Sequence, residues 1–226
     1  LLLATVVVLI KKRDLFFTYS YKYMRLFLLS SLPLTFYTAS EVIYSKIDQI
    51  MLKQYLPIEQ IGYYSVAVRL TELWYFIPNI IIGAVFPAFI YTQKDKTEYN
   101  RRLSIVLLTF TILSFLISLC TFIFGKYFVS IVFGIDFIPS TKILSVYIFS
   151  LFGSYISFIA YQDLFIRSKI NLIVVISSIT ALLNISLNYF WIPIYGGIGA
   201  AYATLISYSC IPLFYLIIKK TKYYHA

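Results

Sequence analysis

Residues 44–78 read YSKIDQIMLKQYLPIEQIGYYSVAVRLTELWYFIP, the end of one apolar run and the start of the next, and they decide how the chain is to be folded. Lys46, Asp48, Arg69 and Glu72 sit in or beside stretches otherwise built for hydrocarbon, with Glu41 one turn earlier. An ionisable group at bilayer depth is costly, so it faces a bundle interior or a watery cavity rather than lipid. The run therefore predicts both a membrane helix bundle and the place in it where a function resides.

Composition agrees. The chain is 61% hydrophobic and 12% charged, with a mean hydropathy of +0.85. A soluble globule has roughly 45–50% apolar and about 25% charged residues, so this is read as an integral membrane protein. Aromatics make up 19%, which suits rings at the lipid interface and packing inside a bundle. The net charge of +10 is spread in short clusters between apolar runs, which argues against nucleic-acid binding and for orientation signals with anionic headgroup contact. Cys120 and Cys210 fall inside apolar runs and are expected to be buried, apolar in character, and neither bridged nor metal-bound. The lone His225 lies in the basic tail and offers no catalytic or metal site. The chain opens LLLATVVVLIKK, in the middle of an apolar segment, and is expected to be a fragment of a longer protein.

A spanning helix needs about 20 mainly apolar residues. Residues 1–10 read as the end of one span, and 11–26, with Lys22 and Arg25 among aromatics, as an amphipathic interfacial linker. Six full spans follow at about 27–51, 62–92, 103–124, 140–163, 170–191 and 197–218, with a tail at 223–226. Pro78 and Pro87 should kink or break the second. Segment 125–140 is apolar for a loop and predicts a short interfacial or re-entrant helix. Fourteen of the nineteen basic residues fall in alternate connections: 11–26, 93–102, 164–169 and the C-terminal stretch from Lys219. The positive-inside rule makes those connections cytoplasmic.

On a helix from Phe27, Glu41 lies roughly 20 Å along and Lys46 and Asp48 nearer 30 Å, while Arg69 and Glu72 descend about 10–16 Å on the next helix. The two sets reach comparable depth in the outer half of the membrane. Two readings stay open. The charges form an ion-pair network, Lys46 with Glu72 and Asp48 with Arg69, or they make the polar wall of a cavity where Arg69 or Lys46 meets an anionic headgroup. Lys46 and Asp48 also suit snorkelling to the interface. In 183–208, LNISLNYFWIPIYGGIGAAYATLISY, Asn184 and Asn188 share a helix face, Pro193 with Gly196 and Gly197 makes a tight turn, and Gly199 opens a run of small residues for close helix packing. Asn184 and Asn188 are expected to hydrogen-bond across helices, with a place in a solute path as the other reading. Asp163 beside Arg167 reads as a cytoplasmic-surface salt bridge, with a proton-relay carboxylate as the other reading. No phosphate loop, paired catalytic acids, HExxH, nucleophile elbow or CxxC is present, which favours transport over chemistry.

The segment IDQIMLKQYLPIEQIGYYSVAVRLTELWYFIP resembles the start of the C-terminal lobe of Wzx-type O-antigen and polysaccharide-unit flippases, in the multidrug/oligosaccharidyl-lipid/polysaccharide exporter superfamily. LNISLNYFWIPIYGGIGAAYATLISY is similar to that superfamily's penultimate loop and last helix. The resemblance implies an all-α membrane protein of MATE-like transporter fold, two six-helix lobes of which this chain is the second, and a C-terminus on the cytoplasmic side of the bacterial inner membrane. It implies alternating-access transfer of an undecaprenyl-diphosphate-linked oligosaccharide, with no cofactor and with H+ or Na+ as coupling ion. The implied partners are that lipid-linked oligosaccharide, membrane lipids, the missing N-terminal lobe and a polysaccharide polymerase. On charge and depth, Arg69 is the first candidate for the pyrophosphate and Lys46 the second, with Glu41, Asp48 and Glu72 orienting them or coupling to an ion. The alternatives are a teichuronic-acid exporter, a cation-coupled drug exporter, which should favour acidic cavity residues, and a membrane polymerase or acyltransferase, which should show a large polar outer loop.

Overall fold

The computed structural model describes residues 21–221. The expected end of a preceding helix at 1–10, linker residues 11–20, and tail residues 223–226 with His225 lie outside the described residues. Among the described residues all regular elements are helical: α1 (Tyr21–Tyr55), α2 (Ile58–Glu72), a 3₁₀ turn (Leu73–Tyr75), α3 (Phe76–Thr92), α4 (Lys96–Phe133), a 3₁₀ turn (Ile135–Phe137), α5 (Ser140–Tyr147), α6 (Ser150–Ile166) and α7 (Ile170–Lys219).

Sequence sets where these helices start and stop. Asp95 caps α4, its Oδ1 accepting the backbone N–H groups of Thr97 and Glu98 at 3.0 and 3.1 Å. Pro57 and Pro139 precede α2 and α5, where a missing N–H costs nothing. In α1 the hydroxyls of Ser30, Ser31 and Thr35 donate back to carbonyls three or four residues earlier, so polar side chains sit on an exposed apolar helix without unmet donors. Run α7 is 50 residues, about 75 Å if straight, which is more than twice the hydrocarbon thickness. It is broken at Gly196, whose φ of 57° and ψ of −135° are open to glycine and not to residues with a Cβ. The arms 170–195 and 197–219 fold back on each other there: a Cβ on Gly199 would stand 2.4 Å from the Trp191 carbonyl oxygen. Ala200, Ala201 and Ala203 beside it are fully buried. The expected turn and small-residue seam are both present.

With α2–α3 and the bent pair α5–α6 each taken as one crossing and α7 as two, the described helices make six apolar crossings. The boundaries differ from expectation in instructive ways. Residues 21–26 continue α1 rather than lying apart as an interfacial segment. The second span is interrupted at 73–75, and the cause is Pro78: with no N–H it cannot bond the Trp74 carbonyl four residues back. That orphaned oxygen accepts the Tyr155 hydroxyl of α6 at 2.7 Å. Pro87, also expected to kink, sits within α3. Segment 125–140 is not a re-entrant loop. Its first part extends α4 to Phe133, because the apolar run continues without a breaker until Gly134. The fourth span is bent by 40° between Tyr147 and Ser150. There the Ile148 carbonyl accepts the buried Ser118 hydroxyl of α4 at 3.0 Å. Each break thus takes a hydroxyl from a neighbouring helix, which at Ile148 adds to the Leu151 backbone N–H already bonded there at 3.1 Å.

Neighbours pack closely around this frame. A Cβ on Gly153 would lie 2.5 Å from the Tyr208 carbonyl group, so α6 and the second arm of α7 touch backbone to backbone. Ser40 and Ser178 hydroxyls meet at 3.3 Å and set the register of α1 against the first arm of α7. Cys120 is exposed and Cys210 half-buried, against the expectation of burial: both stand on outer faces of helices, not in the seams.

Candidate functional site

Six crossings leave a cavity of about 850 Å³ between α1, the α2–α3 break, α6 and both arms of α7. Its length follows α1 from Leu34 to Ser45, roughly 16 Å of helix. Its acids are Glu41 and Glu72, and its wall is tyrosine: Tyr37, Tyr44, Tyr75, Tyr161 and Tyr208. Asn79, Gln162, Ser45, Ser154 and Ser157 add neutral polar groups, and no lysine or arginine lines it among the described residues. The rings hold one another edge to face, Tyr44 with Tyr208 and Tyr37 with Tyr161, each pair at 5.3 Å between centroids. Tyr75 and Ser154 hydroxyls meet at 3.3 Å across the α2–α3 break. The Tyr161 hydroxyl, buried in the wall, makes no hydrogen bond of ordinary geometry among the described residues.

The five charged candidates are not brought to one place. Glu41 and Glu72 face the cavity. Lys46 reaches Glu72 Oε1 at 2.8 Å, the expected ion pair, with both side chains half-exposed at 47% and 36%. Asp48 does not meet Arg69. It is 1% exposed and accepts the Tyr64 hydroxyl and, at 2.6 Å, the Gln49 backbone N–H. Arg69 is exposed, one turn before Glu72 but turned off the cavity, and forms no ion pair among the described residues. The cationic wall expected from Arg69 and Lys46 is therefore not what the cavity presents; depth along a helix was legible, rotation about its axis was not.

Two further polar clusters stand apart. Asn184 and Asn188 are fully buried, and Asn188 Nδ2 donates to Asn184 Oδ1 at 2.9 Å. That bond lies within one arm of α7 rather than across helices as expected. At the basic end of the bundle Asp163 is no surface carboxylate: with 1% exposure it accepts Tyr99 Oη and Tyr215 Oη at 2.7 Å each and Arg167 Nε at 2.9 Å. The Arg167 guanidinium also stands 5.0 Å over the Tyr99 ring. Three crossings, α4, α6 and the second arm of α7, are tied at one carboxylate. Outside the span, Glu98 bridges Arg101 at 2.8 Å and Arg102 at 2.7 Å, and hydrogen bonding from Arg101, then Arg102, holds its carboxyl down at about 2.

Sequence reading passed over the tyrosines. The available signal was their number, 22 in an apolar chain, and the placing of Tyr37, Tyr44 and Tyr75 within a turn of Glu41 or Glu72.

Residues 1–93 match the family described as polysaccharide biosynthesis protein. No curated protein matches the chain. Among solved structures it is similar to a MOP superfamily transporter from Pyrococcus furiosus, whose reverse-polarity binding pocket is described as suggesting a different function. That likeness has 19% identity and a TM-score of 0.65, over 85% of this chain and 44% of the other. It is also similar to an outward-facing multidrug resistance MATE family transporter of the MOP superfamily, at 21% identity and a TM-score of 0.67 over the same shares. The chain spans less than half the length of these transporters. The fold is the all-α, MATE-like fold of multi-pass membrane transporters.

Proposed function

We propose that the protein is the C-terminal half of a flippase that carries a lipid-linked oligosaccharide across the bacterial inner membrane by alternating access. The observation that carries this reading is a cavity of about 850 Å³, lined by aromatic rings with two glutamates and a few neutral polar groups, inside an apolar helix bundle of transporter fold, in a chain whose first 93 residues resemble polysaccharide biosynthesis proteins. The volume lies in the range that encloses a small polar ligand. It leaves a polyprenyl tail in the bilayer and takes only the head of such a molecule. The basic end, with Arg101, Arg102, Arg167 and Lys219, is cytoplasmic by the positive-inside rule.

Arg69 keeps its role in this reading, in a new position. It lies about 16 Å into the bundle from the start of α2 and is exposed. A guanidinium against hydrocarbon is costly, so its face is covered by something polar. That cover is the crevice against the N-terminal lobe, where Arg69 meets the diphosphate. Glu41, with Glu72 freed from Lys46, is the place for a coupling H+ or Na+. A polysaccharide polymerase acts on the product at the outer face.

The test is reconstitution of the full-length protein with a fluorescent undecaprenyl-diphosphate disaccharide. Accelerated leaflet exchange is expected, with Arg69→Ala slowing it about tenfold or more while insertion is unchanged. No exchange by correctly oriented protein sinks the reading, and a fully active Arg69→Ala removes Arg69 from it.

The acidic, aromatic lining favours a second reading, a cation-coupled exporter of an organic cation. Efflux of a lipophilic cation such as tetraphenylphosphonium, with no flipping of the lipid-linked sugar, would establish that one instead.

A further inference from the structure

Resting on the flippase reading, we infer that the cavity receives the sugar portion of the substrate and selects neutral or amino-substituted sugars over acidic ones. Sugar rings present hydroxyls at their edges and C–H groups on their faces. The cavity answers with tyrosine rings for the faces, and with tyrosine hydroxyls, amides and carboxylates for the edges. One of these, the Tyr161 hydroxyl, is more than nine-tenths buried and has no hydrogen bond of ordinary geometry among the described residues, so it has a donor and acceptor to give to an occupant.

Charge then decides which end of the substrate enters and which sugars are accepted. Glu41 and Glu72 are the ionisable acids of the lining, and no lysine or arginine shares it among the described residues. Lys46, which does not line the cavity, is bound to Glu72 at 2.8 Å, which neutralises that acid and leaves Glu41 without an ion-pair partner among the described residues. A diphosphate finds no cation inside and a carboxylate beside it. An acidic sugar meets the same repulsion at close range in a partly desolvated site. A protonated amino sugar gains a charge-assisted hydrogen bond at Glu41.

The experiment uses full-length protein in proteoliposomes and three undecaprenyl-diphosphate disaccharides that differ only in the terminal residue: glucose, glucosamine or glucuronic acid. The expected initial flipping rates are glucosamine equal to or above glucose, and glucose at least tenfold above glucuronic acid. In Glu41→Gln the ratio of glucose to glucuronic acid falls below about threefold. Glu72→Gln, which releases Lys46, should lower the same ratio, and it serves if Glu41→Gln does not insert. Glucuronic acid carried as fast as glucose by the unmutated protein overturns the inference while leaving the flippase reading standing. A ratio untouched in both variants also overturns it. Failure to move any of the three overturns the flippase reading on which it rests.

Discussion

Two aspartates are buried to the same degree, Asp48 and Asp163, and the bundle treats them differently. Asp163 sits among two tyrosine hydroxyls and the Arg167 guanidinium, with its charge answered inside the protein. Asp48 has the Tyr64 hydroxyl and a backbone N–H, and its nearest lysine in sequence, Lys46, is committed to Glu72 instead. A buried charge that is paired and hydrogen-bonded holds helices together; one without a cation leaves electrostatic work undone. The basic end is accordingly a clasp of three crossings. In the other half of the bundle Asp48 has no such cation, and Lys46 and Glu72 form a half-exposed ion pair.

The largest effect is expected at the clasp: Asp163→Ala removes the acceptor shared by Arg167 and two buried tyrosine hydroxyls, and should cost about 3–5 kcal/mol in detergent unfolding. Tyr64→Phe removes one hydrogen bond from Asp48 and leaves the carboxylate otherwise in place, for about 1–3 kcal/mol. If the second loss equals the first, Asp48 is as much a structural anchor as Asp163 and the contrast fails. Lys46→Gln should cost under about 1 kcal/mol, since both partners of its ion pair are half-exposed, while changing transport through the freed Glu72. A large stability loss there would place Lys46 with the clasp rather than with the cavity. The smallest effect belongs to Glu98. Its carboxyl titrates lower in the folded protein than in the unfolded chain, at about 2 against 4.5, so its support is present above about pH 4.5 and fades as pH falls toward 2. Its arginine partners are 67% and 42% exposed, so solvent screens the pairs and acid unfolding should shift only slightly, and Glu98→Gln should flatten that limb of the pH profile.

Much of this was legible along the chain. The hairpin at Gly196 was, because Pro193, Gly196 and Gly197 specify a turn through local backbone chemistry. The ion pair of Lys46 with Glu72 was, because rise per residue fixes depth and the two helices are sequential. The partner of Asp48 was not. Arg69 and Glu72 are three residues apart, yet one is exposed off the cavity and the other lines it, and the difference depends on how α2 is rolled against α1. Asp163 was misread as a surface group for a related reason: its donors Tyr99 and Tyr215 come from 64 and 52 residues away, and no local pattern announces them. Segment 125–140 was read as a short interfacial or re-entrant helix, whereas the preceding helix runs on to Phe133 because nothing breaks it before Gly134.

By itself the sequence determined that the chain is a multi-pass helical membrane protein, roughly where its crossings lie, and that Lys46 and Glu72 come level. These follow from the bilayer's thickness and the fixed rise of a helix, which are one-dimensional constraints. Only the tertiary structure decided that residues 44–78 contribute acid and aromatic rings to the cavity, not a cationic wall. That outcome depends on axial rotation and on the breaks at Leu73–Tyr75 and between Tyr147 and Ser150, where hydroxyls from distant helices bond the Trp74 and Ile148 carbonyls.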